Sequence, residues 1–455
     1  MKNIRCHNSI ISIISIILLS CTNSIYTDCT TSATLDDTSS SIISYDDAIK
    51  SLNHVLAEID PQTRGCIREI KECQIMRVND YKLDKTRSLS DTTRLIYVVN
   101  FEGDSGYAVL SANTQIEPNV IFIADEGYAN ISDFTDNNNI NTSLSIEDLY
   151  YEPDDDYYLG YVGTDCNGRL LQQDIIKNII SLRTFPQNDS TLDDLYLPHT
   201  IPYANINPLV KTLWHQHYPY NKNFPKKQNS DIDNCPAGCT VIATGQLLTY
   251  LDDVDIKTNF NIENTSWKEI ELFQVDNNDN QENSDNFDEG YKTLRDNIAI
   301  ILKHIADKIE VKYNYGIGNA KGTYGRPVKI VNYLESLGYN VNHIKNRPNI
   351  SVETQDLINR SVEHKYPVLV GALGSCDGSL SGHCWLIDGC KYIETENEWI
   401  NHINLGWGNH SGNGWYFRNC FESIKEYTPE ASSITRLAST GEFNYSWAFN
   451  VIIVK

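Results

Sequence analysis

The run Gly238-Cys239-Thr240-Val241-Ile242-Ala243-Thr244-Gly245-Gln246 sets a cysteine at the head of an apolar stretch with helical patterning. A thiol there meets the positive end of the helix dipole and backbone N–H groups that have no intrahelical partner, and both favour the thiolate. A thiolate is the nucleophile that covalent acyl transfer needs, and the same N–H groups can receive the oxyanion of a tetrahedral intermediate. Taken alone, such a cysteine is more often a small core residue. About 140 residues downstream, Ser381-Gly382-His383-Cys384-Trp385-Leu386-Ile387-Asp388-Gly389 places a histidine at the edge of a short apolar strand, with Gly382 leaving room beside the ring. Cys239 and His383 together have the composition of a nucleophile and its general base, brought together by the fold; a lone histidine is more often a structural hydrogen-bonding residue. A third run, Trp399-Ile400-Asn401-His402-Ile403-Asn404-Leu405-Gly406-Trp407-Gly408-Asn409, leads from a strand into a glycine-rich turn. The Asn404 side chain can accept from the imidazole and fix its tautomer, and Trp407 can cover that bond from water. The plainer role for this run is an aromatic hairpin closure.

These residues need elements to hold them. Cys239–Leu251, Tyr291–Ile309 and Pro327–Leu337 have helical patterning, and from there the chain is expected to be mostly strand, at Pro367–Leu373, His383–Cys390, Trp399–Leu405, Gly414–Arg418 and Trp447–Val454. Upstream, Ser44-Tyr45-Asp46-Asp47 opens an apolar series Ala48, Leu52, Val55, Leu56 at helical spacing, with Ser44 as its cap. Leu95–Phe101, Gly106–Ala112 and Asn119–Ala124 form a hairpin or meander, and one more helix is expected near Asp174–Leu182 within an Asp/Asn/Tyr-rich, loop-like stretch. Helices and mostly antiparallel strands in separate runs give an α+β class.

The three motifs in this order, Gly-Cys-Thr-Val-Ile-Ala-Thr-Gly-Gln, Gly-His-Cys-Trp-Leu-Ile-Asp-Gly and His-Ile-Asn-Leu-Gly-Trp-Gly, resemble the streptopain family of cysteine peptidases. The likeness extends to Leu209–Asn221 with Trp214-His215-Gln216, to Val311–Leu337, to Tyr366–Leu369 and to the closing Phe443–Lys455; Tyr97–Ala124 is similar to the family's inhibitory propeptide. It implies a papain-like catalytic domain preceded by an α+β propeptide domain, endopeptidase activity on protein substrates, and synthesis as a zymogen restrained by its own propeptide. It also implies Cys239 as nucleophile, His383 as base and Gln216 as the oxyanion-hole side chain. Two departures matter: Leu405 stands where the family commonly has Trp, while Trp407 is retained, and the propeptide is long because of the Asp/Asn-rich stretch.

Other readings compete with this one. A zinc site built from Cys235, Cys239, His383 and Cys384 or Cys390 lacks the second tight ligand pair of structural sites, so neither a metal nor a cofactor is expected. A surface-binding lipoprotein and another Cys/His enzyme, such as a transglutaminase-like or cell-wall peptidase, remain as alternatives. The 455-residue chain carries a net charge of −23, with 12 basic against 30 acidic residues over positions 22–195 and 23 against 30 from 196 onward. No basic patch supports nucleic-acid binding, and the asymmetry divides the chain into two modules.

Residues 1–21 read as an export signal, with Lys2 and Arg5, an apolar run Ile10–Leu19, and Leu18-Leu19-Ser20-Cys21 like a bacterial lipobox that would make Cys21 the lipidated first residue. The expected organisation is a signal at 1–21, a tether at 22–43, a propeptide domain at 44–195 and a peptidase domain at 196–455. The protein is expected to be exported and lipid-anchored at the cell envelope. One or two disulfides, for example among Cys376, Cys390 and Cys420, are compatible with that compartment.

Overall fold

A computed structural model describes residues 41–60, 68–80, most of 92–135, isolated positions between 150 and 180, 205–251 apart from 229 and 231, 266–274, 289–315, 322–346, 350–376, 379–408, 412–417 and 442–455. The export signal, the tether up to residue 40, Cys21, the expected boundary at 195/196 and Cys420 lie outside the described residues.

The chain opens with α1 (Tyr45–Ile59), capped where the sequence places a cap: the Ser44 hydroxyl accepts from the Asp47 backbone N–H. Such a cap stabilises a helix by about 1 kcal/mol. Its buried stripe of Ala48, Leu52, Val55, Leu56 and Ile59 joins the core of a sheet whose first four strands are β1 (Ile70–Arg77), β2 (Arg94–Phe101), β3 (Tyr107–Ser111) and β4 (Val120–Ala124), and of these the helix packs chiefly on β3 and β4. Gly106 lies between β2 and β3 at φ 88°, and a Cβ there would sit 2.0 Å from the Ala124 carbonyl oxygen, so only glycine lets the two backbones approach. Gln172, Gln173, Ile175, Ile176, Ile179 and Ile180 are helical, the four isoleucines buried at i, i+1, i+4, i+5 spacing.

In the second half, α2 (Cys239–Tyr250) runs through the interior, flanked by α3 (Trp267–Leu272), α4 (Glu289–Lys308) and α5 (Pro327–Ser336). Two small pairs lie outside the main sheet, β5 (Tyr150–Tyr151) with β6 (Asp156–Tyr157) and β7 (Lys312–Tyr315) with β8 (Gly322–Tyr324). The main strands follow: β9 (Val341–Asn346), β10 (Val368–Cys376), β11 (Ser379–Ile393), β12 (Glu398–Asn404), β13 (Gly414–Phe417) and β14 (Glu442–Val454). Between β9 and β10, where the sequence reading placed no element, the chain forms α6 (Val352–Glu363). Ser351 caps it, and Ile358 and Val362 meet the sheet one turn apart. Its composition is otherwise polar, which hid the helical period.

Both halves share one sheet. Its strand order is β1-β2-β3-β4-β13-β12-β11-β10-β14-β9, every neighbour antiparallel. The seam is the β4–β13 pair, with Gly414 opposite Ala124, Trp415 opposite Ile123 and Tyr416 opposite Phe122. Side chains alternate across the sheet as strand geometry requires. Leu369, Leu373, Cys384 and Leu386 face the α2 layer, while Val368, Val370, Ala372, Trp385 and Ile387 face the core shared with α1 and α6. At roughly 2 kcal/mol per buried aliphatic side chain, these two cores dominate the stabilising side of folding. The result is an α+β protein. Cys390, considered above as a disulfide partner, is a free buried thiol.

Candidate active site

Gly238 precedes α2 at φ 91°, ψ 142°, and its hydrogen atoms face the Thr323 side chain and carbonyl at contact distance. That turn makes Cys239 the first residue of the helix. The residue is 1% exposed. Burial pushes its thiol up to about 12, and the backbone N–H groups of Cys384, Thr240 and Cys239 itself offset this only partly.

His383 lies on β11 opposite Ala372 of β10. Its ring stacks on Trp407 at 4.1 Å between centroids and 16° between planes, with Trp385 farther away at 6.0 Å. Nε2 is 3.0 Å from the carbonyl oxygen of Leu405. A carbonyl only accepts, so Nε2 carries the proton and Nδ1 keeps the lone pair a base needs. Burial pulls the imidazole down to about 3, against the opposing pull of that carbonyl.

Asn404 reaches the histidine indirectly. Its Nδ2 donates to the Thr212 carbonyl at 2.9 Å, and its Oδ1 accepts from Gly406 N–H at 3.1 Å and from Gln246 Nε2 at 3.3 Å. Gln246 Nε2 also donates to the Thr212 carbonyl at 2.6 Å. The helix that carries Cys239, the segment before it and the β12–β13 turn are thereby tied at one buried point. Gln216 is buried, and its carbonyl accepts from Ala237 N–H at 2.7 Å just ahead of the nucleophile. Its side-chain amide makes no hydrogen bond among the described residues. Gly408 N–H donates to the Trp214 carbonyl at 3.0 Å, which fixes the far side of the turn beside Trp407.

Three participants were not anticipated from sequence. Gln246 could have been found, since seven residues is two helical turns and puts it on the same face as Cys239. The Leu405 carbonyl could not, because a backbone group has no letter. The third, His402, is the buried partner of two carboxylates: Nδ1 lies 2.6 Å from Asp388 Oδ1 and Nε2 2.7 Å from Asp125 Oδ2. Burial alone would lower it, but the two carboxylates outweigh burial and hold it up at about 10. Asp388 also accepts from Val210 N–H at 2.8 Å, and Asp125 meets Arg68, which is bidentate to Asp60. Beside this cluster a cleft of about 340 Å3 opens at the seam, lined by Asp125, Glu126, Val210, His402, Asn404 and Gly408 among others.

The model of the Peptidase C10 family matches residues 214–416. No curated protein matches the chain significantly. Two solved structures from Prevotella intermedia are similar. A prointerpain A fragment has 15% identity and a TM-score of 0.46, covering 83% of this chain and 98% of that one. The active interpain A cysteine protease has 19% identity and a TM-score of 0.38, covering 56% and 98%. Over residues 214–416, which hold Cys239, His383 and Asn404, the chain is similar to the cysteine-type peptidases of the Peptidase C10 family.

Proposed function

We propose that the chain is a cysteine endopeptidase made as a self-restrained precursor, in which Cys239 attacks the scissile carbonyl and His383 moves the proton. The observation that carries this reading is the His383 Nε2 to Leu405 carbonyl bond at 3.0 Å, which leaves Nδ1 as the basic nitrogen. Nδ1 takes the thiol proton of Cys239, and the thiolate adds to the peptide carbonyl. The oxyanion is received by the N–H groups at the start of α2 and by the Gln216 amide. His383 then returns the proton to the leaving amine, the acyl-enzyme forms, and a water activated by the same nitrogen releases the second product.

Latency follows from electrostatics. Burial pushes the Cys239 thiol up and the His383 imidazole down, so the closed site favours the neutral form of each. Water reaching the site would reverse both shifts. The N-terminal half is the natural restraint. It joins the sheet at β4 and is held by His402 to Asp125 and by Lys391 Nζ, which donates to the Glu58 and Ile59 carbonyls at the end of α1. Lys2, Arg5, the Ile10–Leu19 run and Cys21 support export with a lipid anchor. Metabolic labelling with a fatty-acid analogue tests that part, and a wild-type chain that takes up no label removes the anchor.

Casein cleavage followed during titration with a thiol alkylator, for wild type and Cys239→Ala, tests the activity. Activity should fall in step with loss of one thiol and be absent in Cys239→Ala. Equal cleavage by Cys239→Ala overturns the assignment.

A further inference from the structure

The acceptor that fixes His383 is itself a piece of backbone in a turn rich in glycine, with Gly406, Gly408 and Gly412 all at positive φ. Glycine-rich backbone has many accessible shapes, so a carbonyl placed there points at a histidine only if side chains hold it. Two do. The Leu405–Gly406 peptide unit is pinned on its N–H side by Asn404 Oδ1. Leu405 is pinned on its own N–H by Asn413 Oδ1 at 2.8 Å. Asn413 lies across the turn, nine-tenths buried, immediately before β13. Its Nδ2 reaches the Gly408 carbonyl at 3.5 Å, and its own carbonyl accepts from Asp125 N–H at 2.9 Å.

We propose that Asn413 is a positioning residue of the peptidase: by accepting the Leu405 N–H it aims the Leu405 carbonyl at His383 Nε2 and so keeps Nδ1 as the base. This rests on the peptidase reading above. Asn413 touches neither substrate nor the reacting atoms and acts through one residue of backbone. Nothing in the sequence marks it, because its partner is a backbone N–H eight residues earlier. Only its acceptor oxygen is required for the role, and that separates the proposal from a general packing function. An aspartate keeps the acceptor; a leucine of nearly the same shape does not.

The test compares full-length wild type, Asn413→Leu, Asn413→Ala and Asn413→Asp by steady-state casein hydrolysis and thermal unfolding. Asn413→Leu and Asn413→Ala should lower kcat about tenfold or more with KM within about twofold, and Asn413→Asp should recover to within about threefold of wild type. A folded Asn413→Leu chain with wild-type kcat overturns the proposal, as does an Asn413→Asp chain no better than Asn413→Leu. If Asn413→Leu does not fold, the same comparison is read on Asn413→Ala and Asn413→Asp, with wild-type kcat in Asn413→Ala overturning it. A wild-type chain that cleaves no casein overturns the peptidase reading and this inference together; active wild type with unaffected variants overturns the inference alone.

Discussion

Two buried histidines on neighbouring strands behave in opposite ways. His383 on β11 and His402 on β12 are both almost fully enclosed, yet burial leaves one near 3 while carboxylates carry the other to about 10. The difference lies in what each ring nitrogen meets. His383 faces a neutral carbonyl and two indoles, which give it orientation without charge. His402 faces Asp388 on one side and Asp125 on the other, and the two carboxylates favour its protonated form. The first environment orients a ring without fixing a charge on it, and the second ties two halves of the protein together through one. Burial alone assigns neither role.

Mutation should separate the two most sharply at the level of activity. On the proposed mechanism, His383→Ala is expected to reduce casein turnover by about a thousandfold or more with little change in melting temperature, since general base and thiolate partner would be lost together. His402→Leu should do the reverse and lower stability by about 3 kcal/mol or more, because Asp388 is left buried without its partner. Equal loss of turnover in both would dissolve the distinction.

The next effect concerns how His383 is aimed. Asn404→Ala removes the acceptor of Gly406 N–H and should lower kcat by about tenfold to a hundredfold while KM changes little. Leu405→Trp keeps the backbone carbonyl and is expected to stay active, because the side chain at 405 is not what the imidazole bonds. If Asn404→Ala is fully active and Trp407→Ala is not, stacking rather than the hydrogen-bonded peptide unit orients the ring.

The smallest effect sharpens the other histidine through pH. The folded-state value of His402, about 10, lies above its ordinary 6.5, so its ion pairs support the folded chain fully below about pH 6.5 and that support is lost as pH rises through about 10. His383 has the opposite sign: held neutral at about 3, it lowers stability increasingly as pH falls from 6.5. Asp125→Asn should therefore cost about 1 to 3 kcal/mol at pH 6 and less at pH 10. Urea unfolding at the two pH values measures this, and an equal cost at both would show that His402 carries no proton to lose.

Cys239 and His383 were singled out from the sequence, whereas Gln246, His402 and the groups that work through the backbone were not. Cys239 announces itself by standing between a glycine and an apolar helix, and His383 by opening an apolar strand. The orienting carbonyl of Leu405 and its support by Asn413 are set by three-dimensional closure of a turn. The Asn404 amide was expected at the imidazole and instead holds the peptide unit that reaches it. Strand β1 escaped notice because Ile70–Arg77 is half-exposed along most of its length and shows no clean alternation. The pairing of β4 with β13 joins residues nearly three hundred positions apart, and no local pattern encodes such a partner.

That seam also determines what a cut molecule would look like. Should the N-terminal strands depart, β13 would change from an interior strand to a boundary one, with the N–H and C=O groups that now meet Phe122–Ala124 turned to water. Unpaired strand margins recruit other strands. At Gly414 the missing side chain that now admits the Ile123 carbonyl would leave that margin bare, open to close approach by any extended chain. Concentration-dependent association would then be expected of a chain cut free of those strands, and not of the intact chain, whose own strand occupies the margin.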